Sequence, residues 1–176
     1  GPILVGGELR AAGFVTLDTP GAIDVPGTIV AGAEAGLSAG QGIAVAGTHG
    51  KTTTASMLAW ILERAGLAPG FLIGGLPNDF PVSARLTASR LFVIEADEYD
   101  YMFLGLQPQI AVLNNVEYDH PDFFKTPAAM TDAFRRFTER VPADGLLIAC
   151  ADNALAKQLA QEASARTLVT LYGSDD

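Results

Sequence analysis

The residue pattern points to a mostly parallel, doubly wound α/β sheet flanked by helices. From residue 43 onward, short apolar runs alternate with stretches of helical period, and glycine, proline or polar clusters punctuate the junctions. Strands that alternate with helices pack as parallel neighbours covered on both faces. With 176 residues, 49% of them hydrophobic, and a mean hydropathy of +0.27, the chain has ample material for such a core.

Residues 1–40 are rich in Gly and Ala. Strand candidates at 3–5, 14–17 and 28–30 are separated by the turn signals Gly6-Gly7, Pro20-Gly21 and Pro26-Gly27. Residues 32–42 read as a linker, which puts a domain boundary near residue 40. The first strand of the main domain is then 43–46. A helix over 52–65 carries Met57, Leu58, Trp60, Ile61 and Leu62, is apolar on most sides and stops at Gly66, so it is expected to be largely buried. Further strands are expected at 71–73, 91–95 and 110–114. Thr126 then supplies an N-cap and Pro127 the first helical position, after which Met130, Phe134, Phe137 and Val141 fall on one stripe. Charged Asp132, Arg135, Arg136, Glu139 and Arg140 lie mainly off it. A fifth strand at 145–149, a helix at 154–163 and a sixth strand at 167–172 complete the pattern. The single cysteine, Cys150, cannot form an internal disulfide, and as the close of an apolar run it is expected to be a small buried thiol.

Composition excludes several function classes. Twenty acidic against 11 basic residues give a formal charge of −9, so a broad nucleic-acid-binding face is not expected and any phosphate must be held by a local device. The longest apolar runs fall far short of the roughly 20 residues of a membrane span. No basic segment leads into a long apolar stretch, so a cytoplasmic location is expected.

The strongest chemical signal is Gly47-Thr48-His49-Gly50-Lys51-Thr52-Thr53-Thr54, set between a strand and a helix. Such a loop points successive backbone N–H groups at an anion, and the helix dipole adds to the attraction. Lys51 would meet the terminal phosphates, and the Thr52 hydroxyl would face Mg2+. The full P-loop expression has glycine five residues before Gly50, where this chain has Val45. The plainer reading is a Gly-rich turn followed by capping threonines. Strand, Gly-Lys-Thr and helix in the required order favour a P-loop NTPase-like site.

Two further polar segments follow strands: Glu95-Ala96-Asp97-Glu98-Tyr99-Asp100, and Asn114-Asn115-Val116-Glu117-Tyr118-Asp119-His120. Alone, each would be read as solvated surface. Ligands of doubly wound sheets bind beyond the carboxyl ends of the strands, so the three segments can converge on one crevice. There Thr52, Glu95 and His120 could hold Mg2+, with Mn2+ tolerated because of the imidazole. Without cysteine ligands a structural zinc is not expected.

Together these three segments resemble the central ATP-binding domain of the Mur ligase family of peptidoglycan synthesis, over about residues 41–176. The resemblance implies an ATP-dependent amide-forming reaction: a substrate carboxylate takes the γ-phosphate, an amino group attacks the acyl phosphate, and ADP and phosphate leave. It assigns Gly47, Thr48, His49, Gly50, Lys51, Thr52, Thr53 and Asn115 to the nucleotide. Lys51, Glu95 and His120 become catalytic, and Thr52, Glu95 and His120 metal ligands. Gly74, Gly75 and Arg85 fall where the family approaches its UDP-N-acetylmuramate substrate. The loop and the acidic segment are most similar to the branch that adds L-alanine. Residues 70–75 and 82–86 are similar also to the branch that recycles murein tripeptide, and the acceptor stays open between an amino acid and a peptide. Phe134, Arg135 and Arg136 stand where many members carry a carbamylated lysine, a departure that both branches share. The resemblance implies flanking domains as well. On that basis residues 1–40 are expected to be a short segment, one reading being a remnant of a UDP-binding domain, 41–176 to be the central domain, and the C-terminal ligase domain to be absent. A chain so composed is expected to bind nucleotide weakly and turn over little on its own. Two other readings stand beside this one: another P-loop NTPase or kinase with a Walker-B-like metal site, and a non-catalytic nucleotide-binding module. Oligomeric state is not legible.

Overall fold

Apolar runs too short for a helix become strands wherever a turn residue ends them, and the computed structural model shows this along the chain. It describes residues 41–174 and four short strands before them, β1 (Ile3–Leu4), β2 (Leu9–Ala11), β3 (Ile23–Asp24) and β4 (Ile29–Ala31). There follow β5 (Gln41–Ala46), α1 (Lys51–Arg64), β6 (Gly70–Leu72), β7 (Ala84–Arg85), β8 (Leu91–Glu95) and a 3-10 segment (Tyr99–Gly105). The last elements are β9 (Ile110–Leu113), α2 (Pro127–Thr138), β10 (Leu146–Cys150), α3 (Ala154–Ala163) and β11 (Leu168–Tyr172). The strand candidate at 14–17 and residues 32–40 of the expected linker lie outside the described residues.

The sheet order is β1-β3-β7-β6-β8-β5-β9-β10-β11, with β2 and β4 paired separately. From β6 to β11 in that order the strands run parallel, and only β7 is antiparallel to its neighbours β6 and β3. Side chains of β5 alternate between two cores because a strand turns successive residues to opposite faces. Ile43 and Val45 join Ala55, Ala59, Phe71 and Val93 under α1, whereas Ala44 and Ala46 join Phe134, Phe137, Leu147 and Leu159 under α2 and α3. The expected α/β class is what the structure has.

After β5 the chain fills the β8 side of the sheet and then crosses to β9 on the other side. The reversal makes β5 a topological switch point, so the segments leaving β8, β5 and β9 open onto one crevice.

Helix α2 follows its sequence signals. The Thr126 hydroxyl accepts the Ala129 N–H at 3.1 Å, Pro127 opens the helix, and Met130, Phe134, Phe137 and Val141 are all buried. For α3 the cap is Asn153, whose Oδ1 accepts the N–H of Ala156 at 2.9 Å and also that of Val116 at 3.2 Å. One side chain thereby ties the start of α3 to the segment after β9.

Two expectations are corrected. Helix α1 is not largely buried: Ala55 and Ala59 face the sheet, while Met57 and Ile61 are 58% and 57% exposed. Positions two apart on a helix point about 200° apart, so the small pair that lets α1 approach the sheet turns the bulky pair outward. Cys150 is half-buried rather than enclosed, since it ends β10 next to the last strand of the sheet.

Candidate nucleotide and metal site

The loop after β5 is shaped by two glycines with positive φ and by the segment after β9. Gly47 has φ 141° and Gly50 φ 78°, values that L side chains rarely adopt. A Cβ on Gly47 would stand 3.1 Å from Asn114 Cβ and from the backbone N and O of Asn115. Thr48 donates its N–H to the Asn115 carbonyl at 3.1 Å, and its hydroxyl exchanges hydrogen bonds with the backbone of Glu117, donating at 3.0 Å and accepting at 2.9 Å. The His49 N–H is donated to Asn115 Oδ1 at 2.8 Å.

These contacts divide the nucleotide set. The amides of Thr48 and His49 are spent on Asn115, so in this structure these contacts lock the loop and leave neither of those two N–H groups for an anion. What remains open is the first turn of α1, where Gly50 provides no side-chain cap. The N–H groups of Lys51, Thr52 and Thr53 have no intrahelical acceptor and stand at the positive end of the helix dipole. An uncapped N-terminus behind a Gly-shaped loop is a built anion seat.

Two side-chain links run from consecutive helix residues to the segment after β8. Thr52 donates its hydroxyl to Glu95 Oε1 at 2.8 Å, and Glu95 Oε2 accepts the Gly74 N–H at 2.7 Å. Lys51 donates from Nζ to Glu98 Oε2 at 2.7 Å, with Asp97 Oδ1 at 3.9 Å. Glu98 is fully buried, and that burial pushes its carboxyl above the usual carboxylate range while the Lys51 ammonium pulls the other way. His120, itself at φ 53°, places Nε2 3.8 Å from Glu98 Oε1 and 3.9 Å from Asp119 Oδ2, and it packs edge-on against Tyr99.

Lys51, Thr52, Glu95 and His120 are thus gathered at one rim of the sheet. The metal set is only partly joined. Thr52 and Glu95 are in contact, but the polar neighbours of His120 are Glu98 and Asp119, and among the described residues no group of three His, Cys, Asp or Glu could hold a metal. A hydroxyl and a carboxylate are hard oxygen donors that suit Mg2+, and a pair of them suits an ion that takes its remaining ligands from phosphate and water.

The substrate set also divides. Gly74 and Gly75 line the same rim: a Cβ at Gly74 would meet the Glu95 carboxylate at 3.1 Å, and one at Gly75 the Thr52 methyl at 3.3 Å. Arg85 is not brought there. Its guanidinium pairs with Glu63, donates to the Pro69 carbonyl at 2.9 Å, and lies over the rings of Phe71 and Phe80 at 5.1 and 5.3 Å. Glu63 lies near the other end of α1, about 18 Å along the axis from Lys51 at the standard rise per residue.

Glu98 is the site residue that the sequence did not single out. It sits in an acidic run that reads as solvated surface, and strand alternation stops at Glu95, three residues short of it. The short link between β8 and the 3-10 segment, which carries it inward, has no pattern of its own in the sequence.

Residues 45–176 match the sequence profile of the Mur ligase middle domain. The UDP-N-acetylmuramate--L-alanine ligase of Renibacterium salmoninarum is 51% identical over 132 residues, which are 74% of this chain and 28% of that protein. The UDP-N-acetylmuramate--L-alanyl-gamma-D-glutamyl-meso-2,6-diaminoheptandioate ligase of Escherichia coli is 50% identical over 113 residues, 60% of this chain and 25% of its own length. Among solved structures, the UDP-N-acetylmuramate:L-alanyl-gamma-D-glutamyl-meso-diaminopimelate ligase of Neisseria meningitides aligns with a TM-score of 0.67 at 45% identity, covering 74% of this chain and 45% of that one. The chain therefore spans between a quarter and a half of the length of these relatives.

Proposed function

Since the chain belongs to the Mur ligase family, with residues 45–176 as its middle domain, we propose that it is the ATP-binding part of a ligase of peptidoglycan synthesis. It would join L-alanine to UDP-N-acetylmuramate through an acyl phosphate. The observation that carries the reading is the Thr52–Glu95 contact of 2.8 Å beside the uncapped first turn of α1. It sets a hard-oxygen pair against an anion seat, which is what a magnesium–nucleotide complex requires.

In this reading the amides of Lys51, Thr52 and Thr53 bind phosphate oxygens, and the Lys51 ammonium neutralises charge near the β- and γ-phosphates. Thr52 and Glu95 would hold Mg2+, which supplies charge neutralisation of the phosphate oxygens. The Gly74 N–H fixes the Glu95 carboxylate from its other oxygen. Phosphoryl transfer needs positioning and electrostatic stabilisation more than a covalent catalyst, and these residues provide both. His120 lies farther along the rim, where an acyl phosphate would extend. The substrates are UDP-N-acetylmuramate and an amino acid. A second reading, transfer of a murein tripeptide, is favoured by the 50% and 45% identities to enzymes so named. The location proposed is the cytoplasm; no helix among the described residues is long and apolar enough to cross a membrane.

The test is ADP release by the full-length protein given UDP-N-acetylmuramate with L-alanine or with the tripeptide. ADP formed only with L-alanine supports the first reading, and ADP formed only with the tripeptide supports the second. ADP formed steadily with neither makes the protein a plain NTPase. Replacing Glu95→Gln should lower kcat roughly 100-fold or more, the scale of a lost transition-state contact to developing charge.

A further inference from the structure

Three features single out Glu98 among the described residues. Its carboxylate is fully buried, whereas the acidic neighbours Glu95 and Asp97 are only half-buried and Asp100 is exposed. Oε2 takes the Lys51 ammonium at 2.7 Å, yet Oε1 has no hydrogen-bond partner and faces His120 Nε2 at 3.8 Å. The backbone shortly after Glu98 and that of its partner are held in a conformation that non-glycine residues rarely adopt: Asp100 at φ 54°, Tyr101 at φ 56° and, across the gap, His120 at φ 53°. Such conformations persist where surrounding contacts over-determine them, and they cluster at functional sites.

A buried carboxylate that served stability alone would have both oxygens satisfied. One oxygen holding a phosphate-binding lysine and the other aimed at an imidazole is instead the arrangement of a shared support. The gap of 3.8 Å is too long for a hydrogen bond and short enough for a side-chain adjustment to close.

We propose that Glu98 is a positioning residue of the phosphoryl-transfer site, its one buried carboxylate setting the place of the Lys51 ammonium through Oε2 and of the His120 imidazole through Oε1. The inference rests on the nucleotide-binding reading above. It places the residue that aims Lys51 in the segment after β8, so that segment contributes twice: Glu95 beside Thr52, and Glu98 behind Lys51. It also makes the junction between β8 and the 3-10 segment, with Glu98 as the cap residue of that segment, the place that fixes the lysine.

The experiment is a double-mutant cycle in the full-length protein, with turnover and KM for ATP measured for wild type, Lys51→Met, Glu98→Gln and the double variant. Acting through Lys51, Glu98→Gln should lower kcat at least about tenfold with KM for ATP changed less than about threefold, since a misplaced group near the chemistry costs rate more than ground-state binding. On the Lys51→Met background the same change should cost less than about twofold, because the two residues act as a unit. Equal losses on both backgrounds would make Glu98 a stability residue and overturn the proposal, as would a Glu98→Gln variant with unchanged or raised turnover. Glu98→Asp serves if the glutamine variant folds poorly. It keeps the charge but is one methylene too short to reach both partners, so its turnover should fall as well, and an unimpaired Glu98→Asp enzyme refutes the bridging geometry. Failure of the underlying reading looks different: Lys51→Met would then leave turnover and ATP affinity untouched whatever happens at position 98.

Discussion

Gly47→Ala should damage the loop more than any other single methyl added to it, and the structure gives the size of the effect. At φ 141° an alanine is strained before any contact is considered, at a cost of about 1–3 kcal/mol. Its Cβ would also lie 3.1 Å from Asn114 Cβ and from the N and O of Asn115. Asn115 cannot withdraw freely, because its carbonyl holds the Thr48 N–H and its side chain holds the His49 N–H, so overpacking adds about 1–3 kcal/mol. A combined loss of about 2–6 kcal/mol corresponds to a fall in Tm of roughly 4–24 °C for a domain of this size. Gly66→Ala is the matched control. Gly66 has φ 77° and an added Cβ there would meet nothing within 4 Å, so only the left-handed penalty of about 1–2 kcal/mol applies. Urea melts of the two variants, read at constant m, should differ by at least about 1 kcal/mol. Nucleotide affinity should drop for Gly47→Ala and hold for Gly66→Ala, which lies beyond the far end of α1. Should Gly47→Ala prove no less stable than Gly66→Ala, the claim that the segment after β9 clamps the loop is wrong.

Two predictions concern the α2 side of the sheet. Phe134 is fully buried with its ring edge-on to Phe103 at 5.2 Å, so Phe134→Ala should cost about 3–5 kcal/mol in denaturant melts; a loss under about 1 kcal/mol would mean the site collapses around the gap. Glu162 is held below the usual carboxylate range, first by the hydrogen bond from Gln158 and then by that from Arg135 at 2.9 Å. A depressed folded value means the stabilisation is present above the unfolded carboxylate range and lost as pH falls through the folded one. Both partners are more than a third exposed, so the effect should be small and weakened by salt. Glu162→Gln should therefore flatten the acid limb of the stability profile slightly, and an unchanged limb at low salt would remove the pair from the account.

Features that depend on local pattern were legible in the chain before any fold was known. The strand-loop-helix context of Gly47 to Thr52, the α/β class, the Thr126-Pro127 start of α2 and its buried stripe are all properties of neighbours in the chain, where period, caps and turn residues act. The family resemblance belongs with them, because it is carried by three short contiguous segments. How those segments meet was settled by long-range packing. It turned Met57 and Ile61 outward because the sheet accepts just the alanine face of α1. It drew Arg85 away to Glu63, and spent the Thr48 and His49 amides on Asn115, 66 or more residues distant in sequence. It also buried Glu98 between Lys51 and His120. A pattern reports which face a side chain takes relative to its neighbours, but a partner for a charge is chosen by whichever elements the topology sets side by side, and that choice is made across the switch point at β5.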